Sequence, residues 1–504
     1  MLHCATKRVV SGNHHTRTDL VDSSIKIKNR LSTLIAIGII VLVGLFYAVT
    51  IEPGFPWGDD FAMYLLHAKN IVSGRPYANT PYIYNPGRPE VGPLAYPPLF
   101  PLLLAPVIAA VDLNSRVIKA EVAAFFLAAL WAIYKCLLYR VPAPHAAAVV
   151  GVIGFNPYLW NLKDDPVSDV PFLLLLFLTF TFVLDTERKE WRLGRSIMVG
   201  VLFYLCFACR AAGIVLFPSL FIWEVLHSRR LPRRGVWMSL IVGSAGVALQ
   251  ALAIRGEASY ADNINFTPAV ILRHLSEYGW SLRNEFLSIP GFAGSLFLGF
   301  LILLGLVGYA ASVRRDITLL EVFAPAYLIV VALWTSDQDL RFLLPIIPLW
   351  LLYVSTAIVW LSDFGGRTLS RSVGIALALM LAVSYTNYFA KASYRRNSNG
   401  TNDSGFQSVN EFVRDKTPPK GVILFSKPRL LALLTGRKSS IYPAGTATEI
   451  VSYGRQIGAE YVIAADAFEN DRRILLPAVA GHPNLFEPIF RSGGFAVYQI
   501  RVGH

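Results

Sequence analysis

Two adjacent carboxylates, Asp59 and Asp60, follow the first long apolar stretch of the 504-residue chain, where a membrane helix would emerge. Tyr64 and Ala68 follow Asp60 at the spacing of one helix face, so Asp60 stands where a helix-capping residue would stand. Helix capping alone would explain the presence of one of the two acids. Two acids at a membrane surface, each costly to remove from water, also suit a chemical role. This segment by itself leaves both interpretations open.

Three further polar groups lie between apolar stretches. They are the loop 161–169 with Lys163, Asp165 and Asp169, then Arg210, and then the stretch 337–341 with Asp339 and Arg341. Each alone is explained by a solvated loop or a helix cap. Under the topology predicted below, all of them lie with Asp59 and Asp60 on the extracytoplasmic face. Acids and arginines together on one face of a membrane domain are harder to explain without a site.

Acids and arginines at a membrane surface suit a lipid phosphate and an acceptor that must lose a proton. Arginine binds phosphate oxygens bidentately, and a carboxylate beside a hydroxyl or an amine can act as general base. An acid pair could instead hold Mg²⁺ or Mn²⁺, because hard cations take oxygen ligands. The spacing does not decide between these roles.

The composition is that of a membrane protein. The chain is 54% hydrophobic and only 16% charged, whereas soluble proteins carry about 25% charged residues. The net charge of +13 does not indicate nucleic acid binding, because the basic residues form short runs between apolar segments, as cytoplasmic loops do. The CxxC of Cys206 and Cys209 lies inside an apolar stretch and predicts core packing rather than a metal or redox site.

The order of apolar segments and basic runs predicts a topology. Residues 1–30 form a basic cytoplasmic tail, 31–392 a transmembrane domain, and 52–114 its first extracytoplasmic loop. The apolar run 99–111 is about half a bilayer crossing long and is predicted to be interfacial or re-entrant. About eleven spans then place the N-terminus inside and the C-terminus outside. They are 31–51, 117–139, 146–160, 170–184, two flanking Arg210, 236–254, 292–312, 319–335, 342–361 and 373–389.

The composition changes after the last predicted span. Residues 397–404 form a polar linker, and alternating helix-like and strand-like runs follow it. They predict a small extracytoplasmic α/β domain over 397–504. We expect no chemistry from this domain, because it contains no Gly-rich phosphate loop and no Ser/His/Asp pattern. The predicted helices are 406–416 and 429–434, and the predicted strands are 422–425, 461–464 and 495–500.

With these residues in view, the chain resembles the GT-C glycosyltransferases, and among them the protein O-mannosyltransferases and the lipid A aminoarabinose transferases. The resemblance covers nearly the whole chain, although each motif is short. In this chain the family's acidic neighbour precedes Asp60 as Asp59, and Tyr96 stands where a Lys or His often precedes the two prolines. The matching stretches are Asp60 with Tyr64 and Ala68, then 96–99, 156–172, 341–345, and the tail segments 427–429 and 435–437.

The resemblance implies an α-helical polytopic membrane enzyme of the inner (plasma) membrane. It implies an inverting transferase that moves a sugar from a polyprenyl-phosphate-linked donor to an extracytoplasmic glycan, lipid or protein. The implied catalytic residues are Asp60, Asp59 and Asp169; the phosphate-binding residues are Arg341, Arg210 and Lys163; the other substrate contacts are Tyr64, Tyr96, Asp165 and Asp339. No cofactor is implied, and a divalent metal is left open.

Two other classes of function fit the same residues. A transporter or flippase of lipid-linked saccharides would bind sugar with these acids without bond chemistry. A non-catalytic assembly factor would use the C-terminal domain to bind partners. ATP-driven transport has no support, because the chain has no Walker loop.

Overall fold

The computed structural model describes residues 13–254, 267–334, 339–394 and 400–501, with side chains except those of residues 13–29 and 339. Fourteen helices precede the C-terminal unit in this part of the chain. They are α1 (Asn13–Thr50), α2 (Asp60–Val72), α3 (Leu99–Val111), α4 (Ser115–Leu137), α5 (Ala143–Gly154), α6 (Pro157–Leu162), α7 (Asp169–Lys189), α8 (Leu193–Cys209), α9 (Leu216–Ser228), α10 (Arg234–Ala253), α11 (Pro268–Ser281), α12 (Gly291–Arg315), α13 (Leu319–Leu333) and α14 (Ile347–Lys391).

Seven helical stretches among the described residues are long and apolar enough to cross a membrane, and four shorter apolar helices accompany them. Side chains such as Val49, Leu249 and Leu303 are exposed on these helices, as expected where the solvent is lipid. In α14, Gly366 has a left-handed conformation (φ 75°) and separates the stretches predicted as 342–361 and 373–389. The polytopic helical fold is therefore confirmed, while the count of eleven crossings and the orientation of the termini stay predictions.

Helices α12 and α14 approach each other closely at a glycine. A Cβ atom on Gly308 would overlap the backbone carbonyl of Tyr353, whereas a Cβ on Gly299 of the same helix would meet nothing within 4 Å. Small residues allow membrane helices to pack backbone against backbone, so Gly308 sets the distance between α12 and α14.

We expect Gly308→Val to lower the free energy of unfolding by about 1–3 kcal/mol, because the added side chain must push α14 away. Thermal unfolding in detergent measures this. Gly299→Val adds the same atoms to the same helix in open space and should melt like the parent protein. Equal melting temperatures for the two variants would contradict the close packing.

The stretch 255–290, between the predicted spans 236–254 and 292–312, contains a helix that the sequence did not predict. Residues 255–266 lie outside the described residues, and the rest contains α11 followed by a π-helical turn, Leu282–Phe286. Thr267 precedes Pro268 at the first helical position, which is a favoured helix start. Helix α11 was not predicted because it is amphipathic and its many polar residues obscure the periodic spacing of its apolar ones.

The C-terminal unit, residues 400–501, contains a five-stranded sheet of order β2-β1-β3-β5-β4. Strand β1 is parallel to β2 and β3, and β5 is antiparallel to β3 and β4. The sequence did not predict β2, α17 or β4, because β2 is short and polar and β4 contains Pro488. The elements are α15 (Ser404–Lys416), β1 (Val422–Leu424), α16 (Pro428–Thr435), β2 (Lys438–Ser440), α17 (Ala447–Ile457), β3 (Ala459–Ala465), α18 (Leu476–Gly481), β4 (Phe486–Ser492) and β5 (Phe495–Ile500).

The part of the predicted loop 52–114 that precedes α3, residues 52–98, docks on this unit along strand β2 and is called the first loop below. The backbone N–H of Ile83 donates to the carbonyl of Ser439 at 2.8 Å, and the N–H of Ser439 donates to the carbonyl of Pro81 at 3.0 Å. The Asn85 amide donates to the carbonyl of Ile441 at 3.0 Å. These bonds extend the edge of the sheet, so the first loop and the C-terminal unit are held against each other by backbone pairing.

Candidate active site

Asp60 is the first residue of α2, and its carboxylate receives donors from three separate segments. Arg341 Nη2 lies 3.2 Å from Oδ2, the Tyr96 hydroxyl donates to Oδ1 at 2.8 Å, and Arg429 Nη1 lies 3.2 Å from Oδ1. Its side chain is 32% exposed, so one side of it faces open space. Burial raises the pKa of Asp60, but Arg341 and Arg429 outweigh it and lower the pKa to about 2.

Asp169, the first residue of α7, is buried and holds two arginines. Its Oδ2 atom lies 3.1 Å from Arg341 Nη2 and 2.7 Å from Arg210 Nη1. Arg341 therefore joins Asp60 to Asp169 through one nitrogen. The Arg341 Nε atom is buried and has no hydrogen-bond partner among the described residues. One donor of this guanidinium is thus left without an acceptor in the described part of the chain.

The elements that carry these side chains explain why they meet. Arg341 lies in a 3-10 helix, Asp339–Leu343, and Arg210 ends α8, with its guanidinium over the Phe342 ring. Asp60 and Asp169 both open helices, where a carboxylate is favoured by the helix dipole. The site is therefore built from helix ends rather than from a helix face.

Asp59 has a different task from Asp60. Its Oδ1 atom accepts hydrogen bonds from the backbone N–H groups of Arg429 and Leu430, at 3.1 and 3.0 Å, in the first turn of α16. It therefore caps a helix of the C-terminal unit. The carboxylate faces α16 and is only 13% exposed, and the catalytic role expected of Asp59 stays a prediction.

Replacing Asp59 by alanine should loosen the C-terminal unit, because two N–H groups of α16 lose their acceptor. We expect a loss of about 1 kcal/mol in the free energy of unfolding. Faster proteolysis of residues 400–501 would report it. Asp59→Asn retains an acceptor oxygen and should behave nearly like the parent protein. An alanine variant as resistant as the parent protein would contradict the capping role.

Arg429 is a site residue that the sequence did not identify. Its side chain is fully buried, and its guanidinium lies 5.0 Å from the ring centroids of both Tyr82 and Tyr96. It also donates to the Tyr96 hydroxyl at 2.5 Å. The C-terminal unit, from which the sequence led us to expect no chemistry, thus places a guanidinium against Asp60. Residues 427–429 were noted only for their resemblance to a family tail, and no local pattern joins them to residue 60.

Tyr64 and Asp165 border the same site. The Tyr64 hydroxyl lies 2.7 Å from Ser168 Oγ, next to Asp169, and its ring centroid lies 4.9 Å from that of Tyr96. Asp165 interacts with Arg341, and burial raises the pKa of its carboxyl to about 6, with further raising by Asp60 and Asp169. Tyr64, Tyr96 and Asp165 are thus brought to the Asp60 site.

Lys163 lies in a second charged cluster. Its ammonium pairs with Asp164 at 2.5 Å and lies 4.2 Å above the Trp160 ring, while Lys119 pairs with the other oxygen of Asp164 at 3.1 Å. The contacts of Lys163 are thus with Asp164 and Trp160, and its expected role at the donor phosphate stays a prediction. The side chain of Asp339 lies outside the described residues, and so does Asp337.

Comparison with known proteins gives a clear result at the level of structure alone. No family model and no curated protein sequence matches the chain. The structure is similar to that of the archaeal oligosaccharyltransferase AglB from Archaeoglobus fulgidus, in complex with an inhibitory peptide and a dolichol-phosphate. The TM-score is 0.57 at 13% identity, over 85% of this chain and 69% of that one.

It is also similar to ArnT from Cupriavidus metallidurans bound to undecaprenyl phosphate. The TM-score is 0.55 at 13% identity, over 93% of this chain and 97% of that one. This chain has the GT-C fold. At such low identity the likeness shows the fold and leaves the roles of individual residues to the site itself.

Within this GT-C fold, the described residues do not form an obvious metal site. In the part of the chain that the structure describes, no three His, Cys, Asp or Glu side chains converge on a common point. Both oxygens of Asp60 and the Oδ2 atom of Asp169 already face guanidinium nitrogens. This donor set fits an arginine-bound phosphate better than a divalent cation.

Proposed function

We propose that the chain is an inverting glycosyltransferase that moves a sugar from a polyprenyl-phosphate-linked donor to an extracytoplasmic acceptor. The observation that carries the proposal is the Asp60–Arg341–Asp169 arrangement, in which one arginine joins an exposed carboxylate to a buried one. The GT-C fold supports it, since AglB and ArnT were solved with a dolichol-phosphate and with undecaprenyl phosphate.

In the proposed reaction, a hydroxyl or an amine of the acceptor attacks the anomeric carbon from the face opposite the phosphate. A new bond forms between the acceptor and this carbon, and the bond from the carbon to the phosphate oxygen breaks. The electron pair leaves on polyprenyl phosphate, and the acceptor proton passes to Asp60. Arg341 stabilises the charge that develops on the leaving phosphate.

The low pKa of Asp60 raises a difficulty, because a carboxylate with a pKa of about 2 is a weak base at neutral pH. The donor itself supplies an answer. A phosphate that binds Arg341 competes with Asp60 for the guanidinium, and the loss of this partner raises the pKa of Asp60. Donor binding would then activate the base only when a leaving group is in place.

Asp169 and Arg210 serve as supports in this proposal. Asp169 is buried and holds Arg341 and Arg210 at 3.1 and 2.7 Å, so it fixes both guanidinium groups without facing the acceptor. Asp169 thereby keeps two guanidinium groups at the place where the donor phosphate would bind.

The deciding experiment incubates the purified protein with a panel of polyprenyl-phosphate sugars, with and without a panel of glycan, lipid and peptide acceptors, and follows released polyprenyl phosphate. A glycosyltransferase releases it only when an acceptor is present. A transporter or flippase instead moves a labelled lipid-linked sugar across vesicles without release. A protein that does neither with any donor of the panel is not the proposed enzyme.

Removing divalent cations should leave the transfer rate unchanged, because the positive partners of Asp60 and Asp169 are guanidinium groups. The measurement compares the initial rate before and after treatment with EDTA and gel filtration. A rate that falls at least tenfold and returns with added Mg²⁺ or Mn²⁺ would show instead that a metal takes part.

A further inference from the structure

We propose that Arg429 is a positioning residue of the active site, so that the C-terminal unit is a component of the catalytic machinery. This inference rests on the proposed function, in which Asp60 is the base. It assigns the C-terminal unit a task besides any contact with an acceptor: to hold Asp60 ionised and in one orientation from the side opposite the substrate.

The contacts divide the Asp60 carboxylate into two sides. The Oδ1 atom accepts from the Tyr96 hydroxyl and from Arg429 Nη1, while Oδ2 faces Arg341. Arg429 has no exposed side-chain surface, whereas the Asp60 side chain is 32% exposed. Arg429 therefore does not touch a substrate itself and acts through the residues that it contacts, Asp60 among them. With Oδ1 held by two donors, Oδ2 is the oxygen left to exchange Arg341 for an acceptor proton.

The surroundings of Arg429 are shaped to hold a guanidinium. The rings of Tyr82 and Tyr96 lie on it at 5.0 Å each, a cation–π arrangement. Gly92 leaves room beside it, because a Cβ atom there would lie 2.5 Å from Arg429 Nη2 and 2.9 Å from the Tyr96 hydroxyl. Tyr82, Gly92 and Tyr96 all belong to the first loop, so the loop forms a socket for a side chain of the C-terminal unit.

Asp59 closes the same junction. Its Oδ1 atom accepts from the backbone N–H groups of Arg429 and Leu430, and its Oδ2 atom lies 3.7 Å from Arg429 Nε. The two neighbouring acids thus bind Arg429 in two ways. Asp59 accepts mainly from the backbone N–H of Arg429, and Asp60 accepts from its guanidinium. Docking of the unit and orientation of Asp60 are therefore coupled.

Charges around Asp60 set the expected effect of removing Arg429. Arg429 and Arg341 favour the ionised carboxylate, and the Tyr96 hydroxyl donates to it, whereas the neighbouring carboxylates oppose ionisation. In the complex with donor, Arg341 is engaged by phosphate, and Arg429 is then the remaining guanidinium on Asp60. Six charged or titratable side chains among the described residues face Asp60, from the first loop, the loop before α7, α7, the 3-10 helix and α16. They are Asp59, Tyr96, Asp165, Asp169, Arg341 and Arg429.

The test measures kcat against pH for Arg429→Met and Arg429→Lys. A neutral side chain should raise the pKa of Asp60 in the complex, so the acid limb of the Met variant should move to higher pH by about one unit. For a separate reason kcat at neutral pH should fall at least tenfold, because the carboxylate loses a donor that fixes its orientation. Lysine keeps the charge but not the planar fork, so the Lys variant should keep the acid limb and lose part of kcat.

Arg437→Gln is the matched control, because Arg437 lies just after α16 and donates only within its own unit, to Arg414 and Thr417. Its pH profile should equal that of the parent protein. A Met variant with the parental kcat and acid limb would overturn the proposal. If the Met variant does not fold, a Lys variant with the parental kcat would overturn it equally.

A second measurement separates this inference from the proposed function. Melting temperatures in detergent are compared for Asp60→Asn, Arg429→Met and the double variant, which needs no activity. We expect the double variant to lose less than the sum of the two single losses. Additive losses would overturn the role of Arg429. Coupled losses in a protein that transfers no sugar would overturn the proposed function and leave the contact standing.

Discussion

Replacing Asp60 by asparagine should lower kcat by a factor of about 10² or more, because the variant retains the shape of the side chain but does not accept the acceptor proton. The measurement is release of polyprenyl phosphate at saturating donor, together with the amount of folded protein. Folding should be retained, since Asp169 still binds Arg341 and Arg210 in the variant. Unchanged transfer at normal expression would remove Asp60 as the base.

Two other acids serve as comparisons for this variant. Asp165→Asn should lose less activity, because Asp165 borders the site while the donors from Tyr96, Arg341 and Arg429 converge on Asp60. Asp466→Asn changes an exposed acid of the C-terminal unit and should transfer like the parent protein. If Asp165→Asn were the more damaging change, Asp165, whose pKa of about 6 lies nearer neutrality, would be the better candidate for the base.

The membrane part of the fold follows from sequence patterns that act over short distances. Apolar stretches separated by basic runs predict the spanning segments, and each predicted span overlaps a helix of the structure. Predictions failed where the pattern is weak, as in amphipathic α11 and in the short polar strand β2. Tertiary contacts stabilise such elements more than their local sequence does, as the backbone pairing of β2 with residues 81 and 83 illustrates.

The site was predictable in its residue types but not in its pairings. Asp60, Asp169, Arg210 and Arg341 were expected to share a face, and the structure places all four in one ion-pair network. Asp60 rather than Asp59 faces Arg341, because the carboxylate of Asp59 accepts hydrogen bonds from the first turn of α16. That contact joins residues 370 positions apart. Sequence periodicity reports local structure only, so neither this contact nor Arg429 was within its reach.

Arg341 has the most demanding position in the network. It pairs with both Asp60 and Asp169, and in the proposed reaction it must exchange the first of these for the donor phosphate while keeping the second. Asp169 makes this possible, because a buried carboxylate at 3.1 Å holds the guanidinium in place throughout. The same arrangement protects the fold when Arg341 is removed, since Arg210 still pairs with Asp169 at 2.7 Å.

We therefore expect Arg341→Met to lower kcat by a factor of about 10² to 10³, the usual effect of removing a donor that stabilises charge in the transition state. Arg341→Lys should restore little, because an ammonium group does not present two parallel N–H donors to a phosphate. The measurement is transfer kinetics with donor concentration varied. The control is Arg371→Met, which changes an exposed arginine of α14 and should leave the kinetics at the parental values. A methionine variant at position 341 that changes only KM would place Arg341 in ground-state binding of the donor and would remove it from the stabilisation of the leaving phosphate.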